Sequence, residues 1–348
     1  MKRMMLAAIA LAALMLSCGA WAQRYKVIEL PVQRDVHDYH RVTAHALNEE
    51  GRAAVGEYSA NDAAELCSPT FCKRMPKYPK HGSRHQTHAT AINDLGQVAG
   101  STTQSNVSHA VLLQEGELTD LGTLKPGFGT FAAGLNNRGE VVGYGEMSRG
   151  YQDYRAFHWK DGVMTMLPTF GGDYGTAYAI NDAGQVVGGA TTLTGHAHAY
   201  VYQQGVMTDL GTLPGGDYSE AYAVNSHGDV AGVSTGQGPG MTAFRYRGGV
   251  MEEIGLLPHG DISYAYGIND TGDVVGFART VIHGAYRHAG FLYDAGGLHD
   301  LNDLVRPADL KLYEIEWAND INNQGDIAGA AVRLSDRQLV PVILKRID

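Results

Sequence analysis

Histidine is frequent in this chain, 15 of 348 residues, and His81, His85 and His88 fall close together beside Lys80 and Arg84. Three imidazoles so near one another suit a transition metal, but no carboxylate accompanies them, and a solvated loop is the expected reading. Gly232-Val233-Ser234-Thr235-Gly236 matches the nucleophile-elbow pattern G-x-S-x-G, which belongs on a strand-to-helix turn. No helical period follows, and parallel stretches read GSTTQ and GGATT, so Ser234 is expected to be an ordinary strand residue. Asn269-Asp270-Thr271-Gly272-Asp273 begins like a calcium loop but lacks its ligand spacing and downstream bidentate Glu. Turn chemistry accounts for Asp94, Asp182 and Asp270. Cys67 and Cys72, in ELCSPTFCKRM, form a C-x4-C pair without a second pair at zinc spacing, so a disulfide is expected. The sequence assigns no catalytic residue, no metal and no cofactor.

The elements that carry these residues repeat. ALNEEGRAAVG, AINDLGQVAG, GLNNRGEVVG, AINDAGQVVG, AVNSHGDVAG, GINDTGDVVG and DINNQGDIAG centre on Asn48, Asn93, Asn136, Asn181, Asn225, Asn269 and Asn322, at spacings of 45, 43, 45, 44, 44 and 53 residues. A fixed period of this length marks supersecondary units that cannot bury their faces alone. Between the motifs lie second blocks such as HAVLLQEGELTDLGTL from His109, HAYVYQQGVMTDLGTL from His198 and HAGFLYDAGGLHDLNDL from His288. Alternating apolar and polar residues around a short turn read as a β-hairpin, with Gly116, Gly162, Gly205, Gly249 and Gly296 at the turn. His109, His198 and His288 read as one recurring position. Each Asn-x-x-Gly element is a second hairpin, so a period holds about four strands.

Seven such units predict an all-β fold, a seven-bladed β-propeller of four-stranded antiparallel blades. Residues 25–31, YKVIELP, look like a final strand without a predecessor, while the last period stops one strand short. The N-terminal strand is therefore expected to complete the last blade and close the ring. Residues 23–348 form one domain in this reading.

Lys2 and Arg3, the apolar run from Met4 to Leu16 and the small-x-small Ala20-Trp21-Ala22 predict a bacterial secretory signal over residues 1–22, cleaved after Ala22. A lipidated Cys18 is the minor alternative. The mature protein is then secreted or periplasmic. Formal charge is −10 and becomes −12 without Lys2 and Arg3, which disfavours nucleic acid as a partner. No second apolar stretch approaches the length of a membrane span, and a monomer is expected.

The H-A-x strands, the V-M-T-D-L-G-T-L block and A-Y-A-I-N-D-x-G-Q-V-V-G together resemble the extracellular HAF-repeat family, most closely from Ala177 to Gly232. The resemblance implies an exported β-rich repeat protein and leaves its activity open. The tripeptide is degenerate here (HAV, RAF, HAY, TAF, HAG), so its histidine is not essential to every copy.

Two functions remain. One is a non-catalytic binding module for a glycan, peptide or protein partner. The other is a propeller enzyme, a hydrolase or lyase with its site at the central channel. Binding is preferred because no position peculiar to one blade presents an acid, base or nucleophile with an identifiable partner. The connections FGGDYGTAY, PGGDYSEAY and PHGDISYAY are expected on one rim of the ring, where they would gather Asp173, Tyr174, Asp217, Tyr218 and Asp261 as a ligand-binding group.

Overall fold

The computed structural model describes residues 23–32, 42–57, 64–76, 87–104, 107–148, 153–238, 240–282 and 284–347. The predicted signal at residues 1–22 with Cys18, and His81 and His85, lie outside the described residues. The described strands form seven four-stranded antiparallel sheets, six of which pair their strands in chain order from the axis outward, while the last takes its outermost strand from the N-terminus. The innermost strands are Val42–Leu47, Thr87–Ile92, Thr130–Leu135, Gly171–Ile180, Ser219–Val224, Gly260–Ile268 and Tyr313–Ile321. This is the expected seven-bladed propeller. In the last blade β1 (Tyr25–Glu29) pairs antiparallel with Gln338–Arg346, from Tyr25 opposite Arg346 to Glu29 opposite Val342. The ring is thus consistent with closure by the N-terminal strand.

The Asn motif explains how blades attach to one another. Each Asn turns its side-chain oxygen back onto the backbone N–H four residues on, as Asn225 does with Asp229 at 2.9 Å. Its amide donates sideways to the main-chain carbonyl of the next blade's Asn. These bonds run 48→93→136→181→225→269→322→48, at 2.9 to 3.4 Å, and close into a ring. In several blades a Gln, Glu or Asp at the fourth position takes the second amide proton, as Gln185 does from Asn181 at 2.7 Å. All seven Asn are buried, so each bond stands in for hydration that the amide largely gives up on folding.

The motif's last Gly serves close approach. A Cβ at Gly232 would collide with the Glu220 carbonyl of the adjoining strand, so the two strands touch only because this residue has none. Packing between blades is apolar. Val187, Ala199 and Leu213 from the fourth blade meet Ala221, Val230 and Phe244 from the fifth, and Leu30, Ala328 and Ile343 meet Val42, Ala44 and Val55 across the closure.

Two details depart from the sequence reading. The 53-residue last interval holds two one-turn helices, α1 (Leu301–Leu304) and α2 (Pro307–Leu310), whose Leu301, Leu304 and neighbouring Val305 are buried under the last blade. Turn Gly116, Gly162, Gly205 and Gly249 have φ of 84–88°, but in the sixth blade the positive φ falls on Gly297 (106°) and not on Gly296. There Asp294 Oδ1 accepts from Gly296 N at 2.7 Å and contacts His299 Nε2 at 3.2 Å, which holds a different turn.

Candidate functional site

Every inner strand carries a register shift three residues before its Asn. A β-bulge adds one residue and re-aims it. The bulge residues are His45, Thr90, Ala133, Tyr178, Tyr222, Tyr266 and Asn319, and all seven line one axial cavity of about 710 Å³, together with Thr43, Ala132, Tyr144, Trp317 and Leu339. The wall is aromatic on one side. Ring centroids lie 6.4 Å apart for Tyr144–Tyr178, 5.0 Å for Tyr178–Tyr222 and 5.6 Å for Tyr222–Tyr266. Trp317 stacks on Phe277 at 4.2 Å. On the opposite side burial, with His88 nearby, pushes the His45 imidazole down to about 4, so it is neutral at ordinary pH.

Behind the aromatic wall sits Glu220, only 5% exposed. Its slot exists because the facing residue of the fourth blade is Gly189, where a Cβ would stand 2.7 Å from Glu220 Cγ. Tyr174 donates to Glu220 Oε1 at 3.3 Å and Tyr222 to Oε2 at 3.0 Å, and the Tyr178 and Tyr218 hydroxyls also face the carboxylate. Burial pushes the Glu220 carboxyl up, and these hydroxyls pull the other way. Burial first and the Glu220 charge second raise all four tyrosines, Tyr174 to about 12. Glu220 therefore orients the hydroxyls and does not itself open onto the cavity.

Sequence reasoning missed this acid. Five residues before the Asn, the seven copies read Thr43, His88, Phe131, Thr176, Glu220, Tyr264 and Trp317, so a carboxylate peculiar to one blade was visible there. Of the five rim candidates, Tyr174 and Tyr218 converge on Glu220. The three aspartates take separate local partners. Arg155 donates to Asp173 at 3.2 Å, Thr235 to Asp217 at 3.1 Å, and Arg279 binds Asp261 through two nitrogens at 2.7–3.2 Å.

His288 is not the counterpart of His109 and His198. Those two pair with Asp120 and Asp209, each at 2.9 Å, across the outer hairpin. Strand register places Phe291 opposite Asp300, as Val111 lies opposite Asp120, so His288 is one residue out of phase. A one-residue offset reverses the face, and His288 instead meets Phe277 at 5.0 Å and Trp317 at 6.0 Å. Arg287 takes over the pairing, with Asp300 at 2.8 Å.

Ser234 is fully buried in a strand. Its hydroxyl donates to the Tyr218 carbonyl at 3.0 Å or that of Thr235 at 2.7 Å and accepts from Leu213 N at 2.9 Å. Glu65, Cys67 and Cys72 place their donor atoms within 4.8 Å of one another, but both sulfurs are joined in the Cys67–Cys72 disulfide. Asp94, Asp182 and Asp270 do more than shape their turns, because each accepts from a backbone N–H of the preceding blade at 2.8–2.9 Å. With Glu49 they edge a second axial cavity, about 320 Å³, at the Asn-turn end of the ring.

A family model described as "Protein of unknown function (DUF3466)" matches residues 219–337. No curated protein matches the sequence. Among solved structures the chain is similar to a puromycin-hydrolyzing peptidase of Mycobacterium tuberculosis, at TM-score 0.57 and 13% identity, over 93% of this chain and 54% of that one. It is also similar to the extracellular domain of a putative hybrid two component system from B. thetaiotaomicron, at TM-score 0.53 and 12% identity, over 92% of this chain and 39% of that one. The chain thus spans about half or less of the length of either protein, and at these identities the likeness is one of fold.

Proposed function

We propose that this chain is an exported, non-catalytic binding propeller that takes part of a glycan, peptide or protein partner into the aromatic end of its axial channel. The observation that carries this reading is the convergence of seven bulge residues on one cavity of about 710 Å³, a size typical of ligand pockets. Binding is favoured over turnover because the buried acid, Glu220, is engaged by tyrosine hydroxyls and Ser234 is enclosed. Export is supported by the signal pattern of residues 1–22 with cleavage after Ala22, by the Cys67–Cys72 disulfide, and by likeness to an extracellular domain. In this reading Asp173, Asp217 and Asp261 stand outside the entrance while Tyr174 and Tyr218 support it from behind.

The test is a glycan array and a peptide library probed with the mature chain. Tyr178→Ala and Tyr222→Ala should weaken a captured ligand about tenfold or more, the scale of losing one buried aromatic contact. Unchanged affinity in both folded variants removes the channel as the site. For Tyr174→Ala and Tyr218→Ala, large destabilisation with unaltered affinity in the folded fraction assigns those two to the scaffold. The enzymatic alternative, a hydrolase or lyase, draws on the neutral His45 imidazole at the cavity wall. It requires turnover that His45→Gln abolishes.

A further inference from the structure

We propose that the group bound in the aromatic end of the channel is an organic ammonium ion, held by cation–π contact with Tyr178, Tyr222, Tyr266 and Trp317. This rests on the binding reading and names its ligand chemistry. Three tyrosines from consecutive blades stand at interplanar angles of 66° and 52°, with centroids 5.0 and 5.6 Å apart, so they present tilted walls to one space. Trp317 closes the arc from the seventh blade. Ring faces are the negative part of the aromatic quadrupole, and such walls recognise alkylammonium groups.

Charge along the axis agrees. Glu220 lies behind Tyr178 and Tyr222, and Tyr222 donates its proton to it, so that hydroxyl's remaining capacity is to accept. The opposite mouth carries Glu49, Asp94, Asp182 and Asp270. Among the described residues lining either axial cavity there is no Lys or Arg. Acidic groups placed behind the aromatic wall and around the other cavity favour a cation on the axis. That placement disfavours phosphates and uronates, and a neutral sugar gains stacking but nothing from the charge.

The experiment titrates the mature chain with choline, with its uncharged carbon isostere 3,3-dimethyl-1-butanol, and with a neutral glucan oligosaccharide. Heat of binding and Trp317 fluorescence are followed. Choline should bind at least about tenfold more tightly than the isostere. Tyr178→Ala and Trp317→Leu should each weaken choline by a similar factor. Tyr178→Phe keeps the ring and should retain affinity within about threefold, which separates loss of the cage from misfolding. Equal binding of choline and its isostere overturns the ammonium inference. Oligosaccharide binding that Tyr178→Ala abolishes, without choline binding, overturns it while leaving the channel as a binding site. Choline binding that neither channel variant alters overturns both.

Discussion

Replacing Asn225 by Ala tests whether the Asn ring holds the blades together. Asn225 is 4% exposed; its amide donates to Asn269 O at 3.0 Å and Asp229 Oδ2 at 3.3 Å, and its oxygen accepts from Asp229 N at 2.9 Å and His227 N at 3.0 Å. Truncation leaves the Asp229 and His227 N–H groups without a partner beneath the Asn-turn end of the ring, and the Asn269 carbonyl keeps only its bond from Gly272 N at 3.0 Å. Unsatisfied buried groups cost ~1–3 kcal/mol each, and water recovers some of that, so the loss should be about 2–4 kcal/mol. For a domain of this size it corresponds to a fall in Tm on the order of 3–6 °C. Asn225→Asp separates the donor from the acceptor. It keeps the oxygen that Asp229 N and His227 N require, but sets a carboxylate against the Asn269 carbonyl and the Asp229 carboxylate. The folded state raises the new group's pKa, so its penalty is absent when it is protonated and grows as pH rises above about 4. At pH 7 Asn225→Asp should be less stable than Asn225→Ala, and below pH 4 the gap should close. Asn269→Ala should be milder, because its inter-blade bond is the longest at 3.4 Å. Calorimetric melting of the three variants at pH 4 and 7 reads all of this. A fall below 2 °C for Asn225→Ala, or an Asp variant as stable as the Ala variant at pH 7, refutes the reasoning.

Deleting residues 23–31 removes β1 and bares the edge of Gln338–Arg346, so size-exclusion should show aggregation; a monomer with unchanged Tm refutes closure by that strand. Mass spectrometry without reductant should find Cys67 and Cys72 joined, and Cys67→Ser with Cys72→Ser should cost only about 2 kcal/mol, because the closed loop is short. Burial pushes the Asp320 carboxyl up to about 7, against donation from Leu47 N and Ile321 N, so folding favours its protonated form. The stability this group contributes is full below about pH 4 and is lost as pH rises toward 7; Asp320→Asn should flatten Tm against pH across that window, and parallel curves would contradict it. A fluorophosphonate probe should leave Ser234 unlabelled in the folded protein, and labelling would overturn its structural role.

The period specified strand count and blade number because a repeat states the same packing problem seven times, and the unpaired strand at residues 25–31 pointed to closure. What it did not convey was phase and direction. His288 sits next to Ala289 just as His109 sits next to Ala110, and only the pairing of Phe291 with Asp300 reveals that the strand is shifted by one. The bulges were equally hidden, since an inserted residue in a strand of alternating Ala and Tyr leaves no mark in composition. For that reason Tyr178, Tyr222 and Tyr266 read as ordinary strand residues, although the bulge turns each toward the axis. Glu220 was different. It was legible as the acid at a position where other copies carry Thr, His, aromatic residues or Trp, and was passed over because its partners come from the fourth and fifth blades together.

The division of labour within the repeat follows from these contacts. The Asn and the close-approach Gly each meet a neighbouring backbone, so a change at either disturbs the ladder or the adjoining blade. A bulge residue takes no place in the register and faces the cavity, and the bonds its side chain makes differ from blade to blade: Tyr222 donates to Glu220, Thr90 to the Ala132 carbonyl and Asn319 to the Ala44 carbonyl. The seven copies bear this out in their chemistry: Asn is constant at 48, 93, 136, 181, 225, 269 and 322, whereas three residues earlier stand His, Thr, Ala, Tyr, Tyr, Tyr and Asn. That uneven series breaks the sevenfold symmetry of the ring into an aromatic side and a polar side. On the proposed binding reading, an asymmetric ligand would be oriented at those positions together with Tyr144 and Trp317, which line the same cavity and are equally peculiar to their blades.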